Sequence, residues 1–155
     1  MHPGIGGLRM SGIITGRGPM NAMSSSNVTL IQGLYAAFGR GEINTIVEAA
    51  NPDIVWRIEG RKDDHPLFGD WKGRAGVQEF FKTLAAGQEA TAFSPQEFYP
   101  SGDHVFVIGH YGWTMKKTGR IAESKFCHVF TIKDGRIAAF LEFTDTARFA
   151  QAYRG

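Results

Sequence analysis

The stretch FCHVFTIKDGRIAAFLEFTDTA, residues 126–147, decides the fold. Its centre, Asp134-Gly135, is the strongest hairpin signal in the chain, because a tight two-residue turn needs positive φ and Asp-Gly accepts it. Aromatic and β-branched residues flank the turn on both sides, as strands require. A two-residue turn also sets register. It predicts Lys133 opposite Arg136, Val129 opposite Phe140, His128 opposite Leu141, Cys127 opposite Glu142 and Lys125 opposite Thr144.

Working upstream, Thr118-Gly119 and Ser101-Gly102 are two further turn signals, and residues 91–144 read as four strands of an antiparallel meander. A turn at Thr118-Gly119 predicts Ala122 opposite Met115, Lys125 opposite Gly112 and Cys127 opposite His110. The two registers share a strand, so His110, Cys127 and Glu142 are expected in one row on one face. At the usual strand spacing of ~4.8 Å, His110 and Glu142 then stand about 9–10 Å apart, a separation that suits two groups acting on one small molecule. His128 is expected on the opposite face, beside Phe126 and Phe130, in a packing or interface role.

Helices precede the strands. Leu30, Ile31, Leu34, Tyr35 and Phe38 recur at three- and four-residue steps behind the capping types Ser24 to Asn27, which predicts an amphipathic helix ended by Gly39 and Gly41. A short second helix carries Ile43, Ile46, Val47 and Ala50. Residues 53–59, DIVWRIE, alternate as a strand with Ile54, Trp56 and Ile58 on one face. A loop over 60–73 holds His65, Phe68 and Trp71, and a third helix over about 74–86 shows Val77, Phe80, Phe81 and Leu84 as its stripe. Ala147 to Tyr153 read as a short terminal helix capped by Asp145. The sum is an α+β domain in which a curved antiparallel sheet, with about three N-terminal helices covering one face, makes a pocket.

Composition narrows the function classes. The chain has 155 residues, 20 of them glycine and six of those among the first 23. That segment also carries Arg9, Arg17 and no acid, so the rest balances at 15 basic and 15 acidic residues. Residues 1–23 are expected to be a disordered leader, and residues 24–155 the domain. A balanced body has no electrostatic footprint for nucleic acid or for an anionic membrane. A single cysteine, Cys127, excludes an intramolecular disulfide and a cysteine-based zinc site, and suits the cytoplasm. No metal site and no cofactor are implied.

The candidate chemistry lies in the polar row. His110 exchanges protons near neutral pH, and Glu142 in an apolar pocket becomes a useful acid or base. Cys127 between them reads as a small buried residue rather than a nucleophile. Tyr35 and Trp56 are candidate cavity walls, and His65, Phe68 and Trp71 a lid or contact surface.

The order of FGRGEINTIVEAANPDIVW (38–56), FGDWKGRAGVQEFF (68–81) and the 126–147 stretch resembles the nuclear transport factor 2-like superfamily. Its SnoaL-like and ketosteroid-isomerase-related members are the most similar, over about residues 26–153. The resemblance implies a conical barrel with a deep pocket, as a homodimer. The ketosteroid isomerase residue set is broken here: its base falls at Ile58, its oxyanion tyrosine at Leu34 beside Tyr35, and its oxyanion aspartate at Cys127. Of the limonene epoxide hydrolase pattern, only an aspartate at Asp145 remains. Polyketide cyclases of the family resemble a single carboxylate with a histidine, a description that His110, Glu142 and Asp145 meet.

The resulting expectation is cofactor-independent acid/base catalysis of isomerase, cyclase or dehydratase type on a small hydrophobic or cyclic molecule. Asp145, Glu142 and His110 would be catalytic, with Tyr35, Trp56, Ile58, Phe68, Trp71 and Cys127 binding the substrate. The alternative is a non-catalytic dimeric module that binds a ligand or a protein.

Overall fold

The computed structural model describes residues 14–15 and 22–155. In chain order the elements are β1 (Ile14–Thr15), α1 (Ala22–Gly39), α2 (Ile43–Ala49), β2 (Ala50–Ile58), β3 (Gly69–Lys72), α3 (Gly73–Gly87), β4 (Gln88–Ser101), β5 (His104–Met115), β6 (Ile121–Lys133), β7 (Arg136–Thr144) and α4 (Thr146–Arg154). Most of the expected leader lies outside the described residues. Within it, Ile14 and Thr15 pair in parallel with Glu97 and Phe98, and α1 already begins at Ala22.

The strands form one curved sheet in the order β1-β4-β5-β6-β7-β2-β3. The meander β4 to β7 is antiparallel, as expected from its turns. The sheet as a whole is mixed, because β2 runs parallel to β7. No hairpin joins that pair: the chain leaves β2 and reaches β7 only after α3 and the meander. The strand β3 is an addition to the loop expected over 60–73. It is four residues long with two charges, too short for alternation to show, and it forms by pairing with β2, where Arg57 meets Asp70 at 3.0 Å.

The helices cover the concave face. Val28, Ile31, Leu34, Tyr35 and Phe38 give α1 one buried stripe, at the spacing that puts residues on a single helix face. Gly41 adopts φ +75° and turns the chain out of the helix, with Glu42 N–H donating to the Ala37 carbonyl at 2.9 Å. Val77, Phe80 and Phe81 do the same for α3. On β6 the alternation is regular: Ala122, Ser124, Phe126, His128, Phe130 and Ile132 are buried on the concave face, while their odd-numbered neighbours face out. Among the described residues, no helix is long and apolar enough to cross a membrane.

Gly109 on β5 shows how tightly this face is packed. A Cβ there would stand 2.3 Å from Cζ of Phe126 and 2.5 Å from the Ser94 carbonyl oxygen. The missing side chain lets the Phe126 ring lie across β5, stacked between Phe93 and His128 at 5.6 and 4.1 Å. Gly109→Ala is therefore expected to cost about 1–3 kcal/mol of stability, as overpacking does, read as a lowered urea midpoint. An unchanged midpoint would contradict the close approach.

Candidate active site

One extra residue on β7 builds the site. The hairpin begins in the expected register, with Lys133 opposite Arg136 and Ile132 opposite Ile137, but Thr131 then faces Ala139. Ala138 is thus the extra residue of a β-bulge, and because side chains alternate with a period of two, everything beyond it changes face. His128 pairs with Glu142, and Cys127 with Phe143. This corrects the expected pairing of Cys127 with Glu142. The β5–β6 connection differs too. It spans Lys116 to Arg120, closed by Met115 N–H on the Arg120 carbonyl at 2.8 Å, so the pairing moves by two residues: His110 faces Lys125 and Cys127 faces Ile108. An even shift keeps His110 and Cys127 on a common face, and that face is the outer one.

Three side chains meet inside instead. The Tyr35 hydroxyl, carried by α1, lies 2.6 Å from Nδ1 of His128, and Nε2 of His128 lies 2.7 Å from Oε1 of Glu142. Tyr35 and His128 are 6% and 4% exposed, and the Glu142 side chain 15%. With Glu142 ionised, His128 Nε2–H donates to the carboxylate, and Nδ1 accepts the Tyr35 O–H. Burial, then the charge of Glu142, holds the Tyr35 hydroxyl well above the ordinary tyrosine range, so it stays protonated. Tyr111, beside Glu142 and Thr144, is raised for the same two reasons in the same order. Every hydrogen of the chain is committed: Tyr35 to His128, and His128 to Glu142.

This chain borders an apolar cavity of about 80 Å³, room for several waters or a small ring. Its walls include Phe38, Trp56, Ile58, Phe68, Phe93 and Phe140. Trp56 stacks on Phe140 at 3.9 Å, and Ile58 pairs with Glu142 across β2 and β7. Gly60 makes room for Phe68: a Cβ on it would come within 2.5 Å of that ring. The segment after β2 is tied down by ion pairing of Asp64 with Arg154.

Two more polar groups belong to this wall. His65 is 3% exposed and accepts the Leu67 N–H on Nδ1 at 3.2 Å, which leaves its proton on Nε2. That Nε2, like Nε1 of Trp56, is buried without a hydrogen-bond partner. An orphaned donor of this kind costs roughly 1–3 kcal/mol. Burial lowers the His65 pKa to about 4; the nearby Gln88 side chain works against the fall without reversing it.

Of the residues expected to bind or act on a substrate, Tyr35, Trp56, Ile58, Phe68 and Glu142 line the cavity. His110 and Asp145 do not. They share a polar depression on the outer face with Glu123, Lys125 and Arg148. Asp145 caps α4, accepting the Arg148 N–H at 3.2 Å and pairing with its guanidinium at 3.0 Å. Cys127 is half-buried on the outer face, its thiol pKa raised by desolvation. Trp71 stands behind the wall, donating to the Leu67 carbonyl at 3.0 Å and packed edge-on to Phe80. His128, Tyr111, His65, Gln88 and Thr144 complete the polar lining. Among the described residues, no cluster of His, Cys, Asp and Glu is arranged to hold a metal ion.

Comparison with known proteins agrees with this fold. The family model of the SnoaL-like domain matches residues 31–140. A nuclear transport factor 2-like protein from Burkholderia xenovorans LB400 is 27% identical in sequence, with a TM-score of 0.76 over 83% of this chain and 96% of that one. The structure of TerC co-crystallised with polyporic acid is 28% identical, with a TM-score of 0.72 over 84% of this chain and 99% of that one. The uncharacterised protein Rv0034 of Mycobacterium tuberculosis is 25% identical over 118 residues, 76% of this chain and 88% of its own length.

The buried His65 predicts a pH dependence. Its folded pKa of about 4 lies below the ordinary 6.5, so the unfolded chain binds the extra proton first as pH falls. Its contribution is fully present above pH 6.5 and is lost between about pH 6.5 and 4, an effect on the order of 3 kcal/mol. Urea unfolding across that range is expected to show a shallower acid loss in His65→Asn than in the wild type. Equal slopes would contradict the burial of a neutral imidazole.

Proposed function

The chain belongs to the SnoaL-like family, and on that premise we propose that it performs acid/base chemistry on a small, largely apolar molecule held in the cavity. The observation that carries this reading is the Tyr35–His128–Glu142 chain, three proton carriers joined by bonds of 2.6 and 2.7 Å beside an apolar wall. Glu142 is the proton acceptor. Its Oε1 is held by His128 and the Tyr111 hydroxyl stands beside it, which fixes the carboxylate in place, and a remaining lone pair is offered to a substrate C–H or O–H. Geometry of this kind, with the base oriented by a second group that is itself held by a third, is what general-base catalysis requires.

The same step serves three outcomes. A proton taken from one carbon and returned to another gives isomerisation. Departure of a hydroxide, protonated to water by the same carboxyl, gives dehydration, and attack of the carbanion on an internal carbonyl gives cyclisation. TerC, co-crystallised with polyporic acid, supports the view that a close relative of this fold receives a small molecule. The reading needs no cofactor, and a chain with one cysteine fits the cytoplasm, where we propose it works. A homodimer fits as well: the outer face of the sheet offers Phe143 and Tyr99, 46% and 43% exposed, to a second copy.

The test is mass spectrometry of small molecules that co-purify with the protein, followed by incubation with wild type and Glu142→Gln. Wild type is expected to convert the molecule, and Glu142→Gln to bind it with turnover reduced at least about a hundredfold. Tyr35→Phe, which leaves Nδ1 of His128 without a donor, is expected to fall between them. Full turnover by Glu142→Gln would sink the catalytic role; retention without conversion by wild type would favour a binding module.

A further inference from the structure

We infer that Trp56 and His65 form a donor pair that holds an acceptor oxygen of the substrate, a carbonyl or enolate oxygen, while the proton it gives up faces Glu142. The inference rests on the acid/base reading and adds the class of molecule the cavity selects.

Both groups are hydrogen-bond donors and nothing else at the atoms in question. An indole nitrogen donates only, and His65 has its acceptor nitrogen occupied by Leu67 N–H at 3.2 Å. Trp56 and His65 are 5% and 3% exposed, and neither N–H has a partner. Folded proteins pair the great majority of such groups, so two orphans in the wall of one cavity call for an explanation. The Gln88 side chain stands near enough to favour the protonated ring, but it does not meet Nε2 of His65 with hydrogen-bond geometry, so that N–H is still open to a better-placed acceptor.

The opposite wall supplies the complement. There the Tyr35 proton is committed to His128, the His128 proton to Glu142, and the Tyr111 hydroxyl is turned to Glu142 and Thr144, so what that wall has left for the cavity is acceptor capacity. One side gives hydrogens and the other takes them. A ligand matches both only if it brings an acceptor oxygen to Trp56 and His65 and a removable proton to Glu142. The spacing permits this in a small molecule. Trp56 pairs with Phe140 and Ile58 with Glu142, so Trp56 and Glu142 are diagonal neighbours on adjacent strands, with backbones roughly 8 Å apart. Charge that develops on the oxygen as the proton leaves would meet two fixed donors in an apolar site, where such donors act most strongly.

The probes are cyclohexanone and methylenecyclohexane, which share a ring and differ in the acceptor. Wild type is expected to prefer cyclohexanone at least about tenfold, and the Trp56 indole proton to shift in NMR on titration with cyclohexanone alone. Trp56→Phe keeps an aromatic ring against Phe140 and loses the N–H. His65→Asn keeps an acceptor for Leu67 and loses the Nε2 proton. Each is expected to cut the preference several-fold, and the pair to bring it near parity. Glu142→Gln is expected to keep the preference while abolishing exchange of the α-deuterons of labelled cyclohexanone, so loss of the base and loss of the donor pair read out separately. Parity in wild type, a motionless indole proton, failure of cyclohexanone to bind up to its solubility limit, or a preference intact in the double variant would overturn the inference. The indole measurement needs no variant and stands even where a substitution unfolds the protein.

Discussion

The bulge at Ala138 is the constraint on which the site depends. Without it the β6–β7 hairpin would continue in the register of its turn, and Glu142 would stand on the outer face beside Cys127. With it, Ile137 and Phe140 both face inward although three positions apart, and Glu142 enters an apolar cavity opposite His128. Bulges concentrate near functional sites because they re-aim side chains without unpairing the strands. Here that re-aiming converts a surface carboxylate into a buried one with a partner.

A buried carboxylate is costly unless its hydrogen bonds are made. The chain from Glu142 through His128 to Tyr35 makes them in series, and the aromatic cluster holds it in line. Tyr35 lies parallel to His128 at 5.9 Å and edge-on to Phe98 and Phe130, while Phe126 and Phe140 close around the imidazole at 4.1 and 5.0 Å. These contacts restrict the rotamers of the two rings, so the bonds need little reorganisation when a proton moves. The polar chain and the apolar packing are therefore one device: either without the other would leave a buried charge unpaired or a mobile base.

Much of the fold was legible because its signals are local. Asp134-Gly135, the stripe on α1 and the alternation on β6 each act within a few residues, and each appears as expected. The bulge was hidden because β7 is apolar at Ile137, Ala138, Ala139, Phe140 and Leu141, so alternation cannot say which set faces in. The two consecutive alanines, small enough for a bulge to pass between large neighbours, are the trace it leaves. The error at Thr118-Gly119 was of another kind: the loop is longer than two residues, but a shift of two preserved the faces, so His110 and Cys127 stayed together on the wrong side of the sheet. His128 stands on the face opposite Cys127 and beside Phe126 and Phe130, as expected; what the bulge hid is its pairing with Glu142. Tyr35, Trp56 and Ile58 line the cavity because their placement follows from helix and strand periodicity upstream of it, and Phe68 comes to it from the loop read as a lid. Asp145 was correctly seen as a cap for α4, and its bonds to Arg148 leave it that work on the outer face.

The most direct measurement is 15N NMR of the His128 imidazole in the protein at neutral pH. The hydrogen-bond geometry predicts a proton on Nε2, protected from solvent exchange and shifted far downfield by the 2.7 Å bond to Glu142, with Nδ1 accepting from Tyr35. A proton on Nδ1 in place of Nε2, or a ring that exchanges freely with water, would contradict it, because His128 would then not be the link between Tyr35 and Glu142.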